Sequence, residues 1–195
     1  IIHNGIDPSL FKSVPSHIDL TVGMLGRLEP VKGPMVFVQA LQALRDDFKL
    51  APHSYLGGDG NLKSELIDYA VKNKLTHLNF DGEVKDVPAW MSKVDILVVP
   101  SQSEGFGIII LEGLASGKLV IATDLPATQE LITNGVNGCL FPIGDIKFLA
   151  DILYQLIANP IFANKIKQGV VDWQKQHLSD YDINHVVHNY ERLFS

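Results

Sequence analysis

The stretch Ile96–Ala122, "ILVVPSQSEGFGIIILEGLASGKLVIA", decides the fold class of this chain. Two short and uniformly apolar runs, Ile96–Val99 and Leu119–Ala122, enclose a glycine-containing turn and a helical pattern over Gly107–Ser116. Uninterrupted apolar runs of this length are typical of strands that are buried on both faces of a parallel sheet. A strand, a helix and a second strand in this order predict one parallel β-α-β unit.

The same alternation continues over most of the chain and predicts an α/β fold, a Rossmann-like open parallel sheet with helices on both faces. Further strands are predicted at Leu20–Leu25, Leu50–Leu56, Leu78–Phe80 and Cys139–Phe141, and further helices at Pro34–Leu44, Leu62–Lys74, Val87–Ser92 and Ala127–Thr133. From Asp145, a predicted N-cap, the pattern is helical to the end, with breaks at Asn159-Pro160 and around Leu178–Asp180.

The first residues, "IIHNGIDPSLF", are dense in turn-forming residues and predict a linker that leads into the domain. We therefore expect a linker and domain entry over residues 1–18, a Rossmann-like domain over residues 19–180 and a C-terminal helix over residues 181–195.

Composition limits the functions that the chain can have. The formal net charge of −6 and the pI of about 5.6 argue against a nucleic-acid-binding surface, which needs clustered Lys and Arg. The single cysteine, Cys139, allows no internal disulfide and favours a reducing compartment. No apolar run approaches the roughly 18 residues that span a bilayer, and no signal peptide is visible. These features predict a cytoplasmic protein.

Glycines, polar residues and charges follow five of the predicted strands, in the loops "GRLEPVKGP", "GGDGN", "DGEVKD", "PSQSEGFG" and "TDLPATQE". Ligands of open α/β sheets bind beyond the carboxyl ends of the strands. The pattern therefore predicts a ligand crevice along this edge of the sheet.

The first of these loops places Arg27 at a strand end and Lys32 just before a helix that Pro34 can begin. A helix N-terminus attracts anions, and a guanidinium with an ammonium would complete a clamp for a diphosphate. Taken alone, the two cations would be ordinary solvated side chains. Together with the other loops they favour the clamp.

The second loop, "GGDGN", is similar to part of a dinucleotide fingerprint, but Lys63 stands where the third glycine should be. This spacing disfavours an NAD site. The loop is better interpreted as a tight strand-to-helix turn with Asn61 as the N-cap.

Glu104 and Glu112 lie eight positions apart in the fourth loop and the helix after it. In a continuous helix their backbones would be about 12 Å apart, which is long for two carboxylates that act on one glycosidic bond. The spacing favours two ends of one elongated ligand. Glu104 alone could be ordinary stabilisation of a helix N-terminus, but Glu112 lies in an apolar stretch where an unpaired charge is costly.

His185, His188 and Glu191 could form a metal-binding face at helical spacing, but no H-E-x-x-H motif is present. We interpret them as a solvated helix face and expect no metal ion.

Taken together, "NGID", "GRLEPVKG", "GGDGN", "FDGEV", "PSQSEGFGIIILEGLASG" and "NGCLFPIGD" resemble the C-terminal half of GT-B retaining glycosyltransferases, in particular family 4. The resemblance covers essentially the whole chain, and its most specific part is the Glu-x7-Glu element in order with Arg27 and Lys32. The chain departs from the family pattern in two places. Leu125-Pro126 stand where Gly-Gly is common before Glu130. Gly113 stands where Ala is common, which should weaken the helix slightly.

The resemblance implies a nucleotide-sugar donor site. Arg27 and Lys32 would hold the donor diphosphate, Glu104 would contact the sugar hydroxyls, and Glu112 would hold the ribose hydroxyls. We therefore expect the catalytic residues to be Arg27, Lys32 and Glu104. The other implied donor contacts are Gly26, Glu83, Val84, Gly105, Phe106, Gly107, Ile108 and Ile109. Catalysis in this class is metal-independent, and cations with a helix N-terminus stabilise the leaving diphosphate.

The resemblance also implies how the chain works in a larger enzyme. We expect a hexosyltransferase of class EC 2.4 that needs no cofactor and uses a UDP, GDP or ADP sugar. The acceptor, a glycan, lipid or polysaccharide, would bind an N-terminal domain absent from this chain, so the isolated domain would be inactive or nearly so. Location would be cytoplasmic, with peripheral association with the inner face of the membrane through the absent domain as an open option.

Other functions remain open on the sequence. One is a non-catalytic nucleotide-sugar-binding module, although the intact set of charged residues argues against a degenerate site. Another is a sugar-nucleotide epimerase of GT-B-like architecture, against which the Glu-x7-Glu spacing with Arg27 and Lys32 argues. A dehydrogenase is disfavoured by the failed glycine spacing.

Overall fold

One sheet of six parallel strands organises the computed structural model, which describes residues 4–11 and 19–192. The strands are β1 (Val22–Leu25), β2 (Ser54–Gly57), β3 (Leu78–Gly82), β4 (Ile96–Val99), β5 (Leu119–Thr123) and β6 (Cys139–Phe141), in the spatial order β3-β2-β1-β4-β5-β6. All neighbouring strands pair in parallel, so the predicted fold class is confirmed.

Eight α-helices are present in the described part of the chain: α1 (Pro34–Phe48), α2 (Lys63–Lys72), α3 (Val87–Met91), α4 (Ile108–Ala115), α5 (Pro126–Gln129), α6 (Ile146–Ala158), α7 (Pro160–His177) and α8 (Ile183–Glu191). Short 3-10 turns lie at Pro8–Leu10, Pro30–Lys32 and Leu178–Tyr181. The two predicted breaks are therefore confirmed, one between α6 and α7 and one at the turn before α8. Asp145 is the N-cap of α6, as predicted, because its side chain accepts a hydrogen bond from the Phe148 N–H.

Three local predictions are wrong. The strand predicted over Leu50–Leu56 begins only at Ser54 and ends at Gly57. Asn61 does not cap α2, whose N-cap position is Leu62, because the backbone and side-chain amides of Asn61 instead donate to the Glu29 carboxylate at 3.3 Å. The helix predicted over Ala127–Thr133 ends at Gln129, and the N–H of Thr133 donates instead to Asn137 Oδ1 at 2.7 Å. Residues 1–3 and 12–18 of the predicted linker and 193–195 of the predicted last helix lie outside the described residues.

The sheet is buried on both faces, which explains why its central strands are uniformly apolar. Along β4, Ile96 and Val98 belong to the core with α1, α2 and α6, whereas Leu97 and Val99 belong to the core with α3 and α4. All four side chains are at most 5% exposed. Alternating side chains thus point to two different apolar cores.

Gly113 lets α4 lie close to the sheet. A Cβ atom at this position would come within 2.6 Å of Leu97 Cδ2 and within 3.2 Å of Val120 Cγ2. Helix propensity alone makes this glycine unfavourable in α4. The structure adds a packing reason for it, because a larger residue would push α4 away from β4 and β5.

The N-terminal segment, residues 4–11, is attached to the C-terminal helices. The Ile6 N–H donates to the Tyr181 carbonyl at 2.9 Å, and the Ile183 N–H donates to the Ile6 carbonyl at 2.8 Å. Ile6 and Phe11 are buried in the same core as Tyr181. This attachment fixes the position of Asn4 relative to the sheet.

Within residues 4–11 and 19–192, no single helix is long and apolar enough to cross a membrane. The ranges Ile146–Ala158 and Pro160–Tyr181 reach that length and hydropathy only together, with a bend of 96° between them.

Candidate functional site

A cavity of about 660 Å³ lies at the carboxyl edge of the sheet. The chain runs from β1 outward through β2 and β3, then returns to β4 and runs outward the other way through β5 and β6. Ligands of open α/β sheets bind where the strand order reverses in this manner. The loops after β1, β2, β3 and β4 line the cavity, but no residue of the loop after β5 does. The crevice therefore lies along the predicted edge of the sheet, and the fifth loop, beyond the reversal, is not part of its lining.

Eleven of the twelve predicted site residues line this cavity. They are Gly26, Arg27, Lys32, Glu83, Val84, Glu104, Phe106, Gly107, Ile108, Ile109 and Glu112. Gly105 is exposed and does not line it. The structure therefore brings the predicted residues together, while their individual roles stay predictions.

The loops after β1 and β4 are joined directly. The Gln102 N–H donates to the Val31 carbonyl at 2.8 Å. Gly33 has a φ of 68°, and a Cβ atom there would lie 2.0 Å from the Pro100 carbonyl oxygen. Only glycine allows this conformation and this close approach together. The contact places Lys32 beside the loop that contains Glu104.

Lys32 and Glu104 form an ion pair inside the cavity. Lys32 Nζ donates to Glu104 Oε1 at 2.7 Å, and the Ser101 hydroxyl donates to the same oxygen at 2.6 Å. The Glu104 side chain is 7% exposed, and that of Lys32 is 25% exposed. The ion pair is thus partly shielded from water, which strengthens it relative to a surface pair.

Arg27 completes the basic side of the cavity. It is exposed, and it forms no hydrogen bond or ion pair with any residue in the described ranges. Its backbone neighbourhood is fixed, because the Gly26 N–H donates to the Gly57 carbonyl and the Leu28 N–H donates to the Asp59 carbonyl. The guanidinium is therefore available to an anionic ligand in the cavity.

The N-terminus of α4 faces the same cavity without a cap. Gly107, at φ 85°, occupies the N-cap position and provides no side-chain hydrogen bond. The N–H groups of Ile108 and Ile109 have no acceptor among the described residues. Free N–H groups and the helix dipole attract an anion at this position.

Glu112 lies on α4, one turn beyond these free N–H groups. It lines the cavity, and its carboxylate accepts no hydrogen bond from the part of the chain that the structure describes. Burial raises the pKa of Glu112 to about 7. Because α4 begins only at Ile108, Glu104 lies in the loop before the helix. The distance estimate of about 12 Å, which assumes a continuous helix, therefore does not describe this pair.

An apolar wall closes the side of the cavity near β3. Leu25, Val84 and Val87 form it, with the exposed Glu83 at its rim. Beneath the wall, the buried Trp90 donates its indole N–H to Asp81 Oδ2 at 2.8 Å, which fixes the end of β3. Such a wall suits a flat, weakly polar group.

Several lining residues were missed by the sequence analysis. Asn4 reaches the cavity only through the attachment of residues 4–11 to the C-terminal helices, which no local pattern shows. Asp59 and Ser101 follow strands in loops that were singled out, so the strand-end rule could have identified both.

No group of three or more His, Cys, Asp or Glu side chains in the described ranges could hold a metal ion. His185, His188 and Glu191 are exposed on α8, which agrees with the interpretation of a solvated helix face.

Comparisons with known proteins agree with this geometry. The family model described as "Glycosyl transferases group 1" matches residues 19–159. The lipopolysaccharide core biosynthesis mannosyltransferase LpcC of Rhizobium leguminosarum is 31% identical over 183 residues, with 84% of this chain and 51% of that protein covered. The chain spans about half the length of the curated relatives it matches.

Solved structures show the same fold. Anabaena HepE, crystallised with UDP-glucose, has a TM-score of 0.86 at 26% identity and covers 99% of this chain and 56% of its own. The C-terminal domain of a glycosyl transferase group 1 family protein, LpcC, of Francisella tularensis has a TM-score of 0.80 at 27% identity, over 92% of this chain and 100% of that domain. The chain therefore belongs to the glycosyl transferases group 1 family, and its fold is that of a GT-B C-terminal domain.

Proposed function

We propose that the cavity binds a nucleotide-diphosphate sugar and that the chain is the donor-binding domain of a retaining glycosyltransferase. One observation supports this most strongly: a guanidinium that no described residue pairs, an ammonium, an uncapped helix N-terminus and two carboxylates line one cavity. The solved structures of HepE with UDP and with UDP-glucose support a ligand of this class.

The basic part of the cavity is assigned to the diphosphate. Arg27, Lys32 and the free N–H groups of α4 provide donors for its oxygens. Transfer breaks the bond between the anomeric carbon of the sugar and a diphosphate oxygen, forms a bond from that carbon to the acceptor hydroxyl oxygen, and releases the acceptor proton to the departing diphosphate or to water. Negative charge develops on the leaving group, and the same three donors stabilise it, which is electrostatic catalysis.

The two carboxylates are assigned to hydroxyl groups at opposite ends of the donor. Glu104 would accept from the sugar, and Glu112 would accept from the ribose. Hydroxyl groups that donate to a carboxylate favour its charged form. The bound ribose would thus provide the partners that Glu112 lacks and lower its raised pKa.

The apolar wall of Leu25, Val84 and Val87 is assigned to the base. This assignment leaves the nucleotide open between UDP, GDP and ADP. The whole enzyme would transfer a hexosyl group to a glycan, lipid or polysaccharide acceptor, and we expect this domain alone to bind the donor weakly and to turn over little or none of it.

Calorimetric titration of this chain with UDP, GDP and ADP, followed by their sugars, tests the proposal. We expect one nucleoside diphosphate to bind, and Arg27→Ala or Lys32→Ala to weaken it at least about tenfold, since each removes charge-assisted hydrogen bonds. Lys72→Ala is the matched control, because Lys72 is exposed on α2 and does not line the cavity. Unchanged binding in both cavity variants would overturn the proposal.

A further inference from the structure

One oxygen of the Glu104 carboxylate accepts both of the hydrogen bonds that the structure shows for this group. Ser101 Oγ and Lys32 Nζ donate to Oε1, at 2.6 Å and 2.7 Å. The other oxygen, Oε2, accepts no hydrogen bond from a residue in the described ranges. Since Glu104 lines the cavity, this arrangement leaves a carboxylate oxygen for a ligand.

Lys32 alone would not select between the two oxygens. An ammonium is a compact charge on a flexible four-carbon chain, so it can satisfy either oxygen of a carboxylate. Ser101 is different, because it is 2% exposed and directly follows the Pro100 backbone that contacts Gly33. Its neighbour Gln102 is fixed by a hydrogen bond to Val31. A hydroxyl this buried needs a hydrogen-bond partner, and Glu104 Oε1 is the acceptor that the structure gives it.

We propose that Ser101 is a positioning residue, which orients the Glu104 carboxylate so that Oε2 is presented to a hydroxyl of the donor sugar. The arrangement also leaves two of the three Lys32 ammonium protons for the diphosphate. This inference rests on the proposed function of the cavity. It predicts different effects on the sugar and the nucleotide of the donor, because Ser101 would act on the sugar through Glu104 and would have no part in holding the nucleotide.

The test compares affinities for UDP and UDP-glucose in this chain, by calorimetry or ligand-detected NMR, with GDP and GDP-mannose as the second pair and ADP and ADP-glucose as the third. We expect Ser101→Ala to weaken binding of the sugar nucleotide about fivefold to tenfold and to change binding of the nucleoside diphosphate less than about twofold. Ser103→Ala is the matched control, since Ser103 is exposed in the same loop and does not line the cavity. We expect it to change neither affinity.

A double-mutant cycle separates positioning from a general effect on the loop. In a Glu104→Ala background the carboxylate is gone, so Ser101→Ala should cause no further loss of sugar-nucleotide affinity. Thermal melting of each variant shows whether it is folded. If Ser101→Ala destabilises the chain, the coupling in the cycle still reports on the positioning role, because it is measured on folded protein.

Three results would overturn the inference: equal weakening of both ligands by Ser101→Ala, no weakening of either, or full additivity with Glu104→Ala. Each of them leaves the proposed function standing if the wild-type chain binds a sugar nucleotide. If the wild-type chain binds no member of the UDP, GDP or ADP pairs, the proposed function fails and the inference fails with it.

Discussion

Two shielded carboxylates at opposite edges of the sheet differ in how they are paired. At the amino edge, Asp95 is 6% exposed, and its Oδ2 accepts hydrogen bonds from the backbone N–H and the hydroxyl of Thr21, both at 2.9 Å. At the carboxyl edge, Glu112 lines an open cavity and has no donor among the described residues. Asp95 is already paired by the fold, whereas Glu112 is left for a ligand.

The pKa shifts of ionisable groups at the amino and carboxyl edges differ in the same way. Burial lowers the pKa of Lys118, at the start of β5, but the negative charge of Asp95 opposes this shift. Burial alone raises the pKa of Glu112 to about 7. An exception at the amino edge is His77, whose buried Nε2 has no hydrogen-bond partner in the described part of the chain and whose pKa burial lowers. A buried charge without partners costs free energy, and such costs concentrate at functional sites.

The largest expected effect comes from removing the buried Asp95 carboxylate at the amino edge. Asp95→Ala should lower the free energy of unfolding by about 3 to 5 kcal/mol, since it leaves the Thr21 N–H without its acceptor and the buried Lys118 without a nearby negative charge. Urea denaturation measures this loss. Asp151→Ala, an exposed position on α6, should cost less than about 0.5 kcal/mol.

Asp95→Asn keeps the shape of the side chain and should lie between these values, which preserves the test if Asp95→Ala does not fold. Nucleotide affinity of the folded variants should equal that of the wild type, because Asp95 lies at the edge opposite the cavity. If an Asp95 variant kept its free energy of unfolding but lost nucleotide binding, Asp95 would serve ligand binding and not stability. The stated difference between the two edges would then be wrong.

The second effect tests the unpaired state of Glu112 through pH. Its pKa is raised from 4.5 to about 7 in the folded chain, so the folded state binds the proton more tightly than the unfolded state. The stability that protonated Glu112 provides is complete below about pH 4.5 and is lost as pH rises through about 7. We expect this loss to reach about 2 to 3 kcal/mol, as the carboxylate is only partly shielded from water.

Glu112→Gln removes this titration and keeps the shape of the side chain. Urea denaturation of both proteins at pH 5 and pH 8 should show the wild type losing stability relative to the variant as pH rises. A difference between the two that stays constant with pH would show that Glu112 has a partner in solution.

The strands of the sheet could be predicted from the sequence because burial on both faces requires a run of consecutive apolar residues, which is a local pattern. The runs at Ile96–Val99 and Cys139–Phe141 match β4 and β6 residue for residue. β1 begins two residues later than predicted, at Val22, since the Thr21 N–H donates to Asp95, which is 74 residues away. A contact of that separation has no signature in the local pattern.

The site was predictable to the extent that it follows strand ends. The strand-end rule identified the loops with Arg27, Lys32 and Glu104, and the resemblance supplied their roles. It did not identify Asn4, whose position depends on the backbone hydrogen bonds between Ile6 and the turn before α8. Nor did the sequence show that Lys32 is paired with Glu104, because that ion pair depends on the contact between Gly33 and Pro100.

The smallest expected effect concerns how the fold positions the carboxyl edge. Helix propensity alone predicts that Gly113→Ala stabilises α4 by up to about 1 kcal/mol. The structure predicts the opposite sign, because the added Cβ would lie 2.6 Å from Leu97 Cδ2. Overpacking of this kind costs about 1 to 3 kcal/mol, so we expect a net loss of about 1 kcal/mol in urea denaturation.

Asn164→Ala, at an exposed position of α7, provides the matched control for propensity and should stabilise the chain by a few tenths of a kcal/mol. Any movement of α4 away from Leu97 also moves Glu112 and the free N–H groups of Ile108 and Ile109. A loss of nucleotide affinity should therefore accompany the loss of stability in Gly113→Ala and be absent in Asn164→Ala. Stabilisation by both substitutions would mean that α4 can move away from β4 without cost, and that the close packing at Gly113 does not hold Glu112 in place.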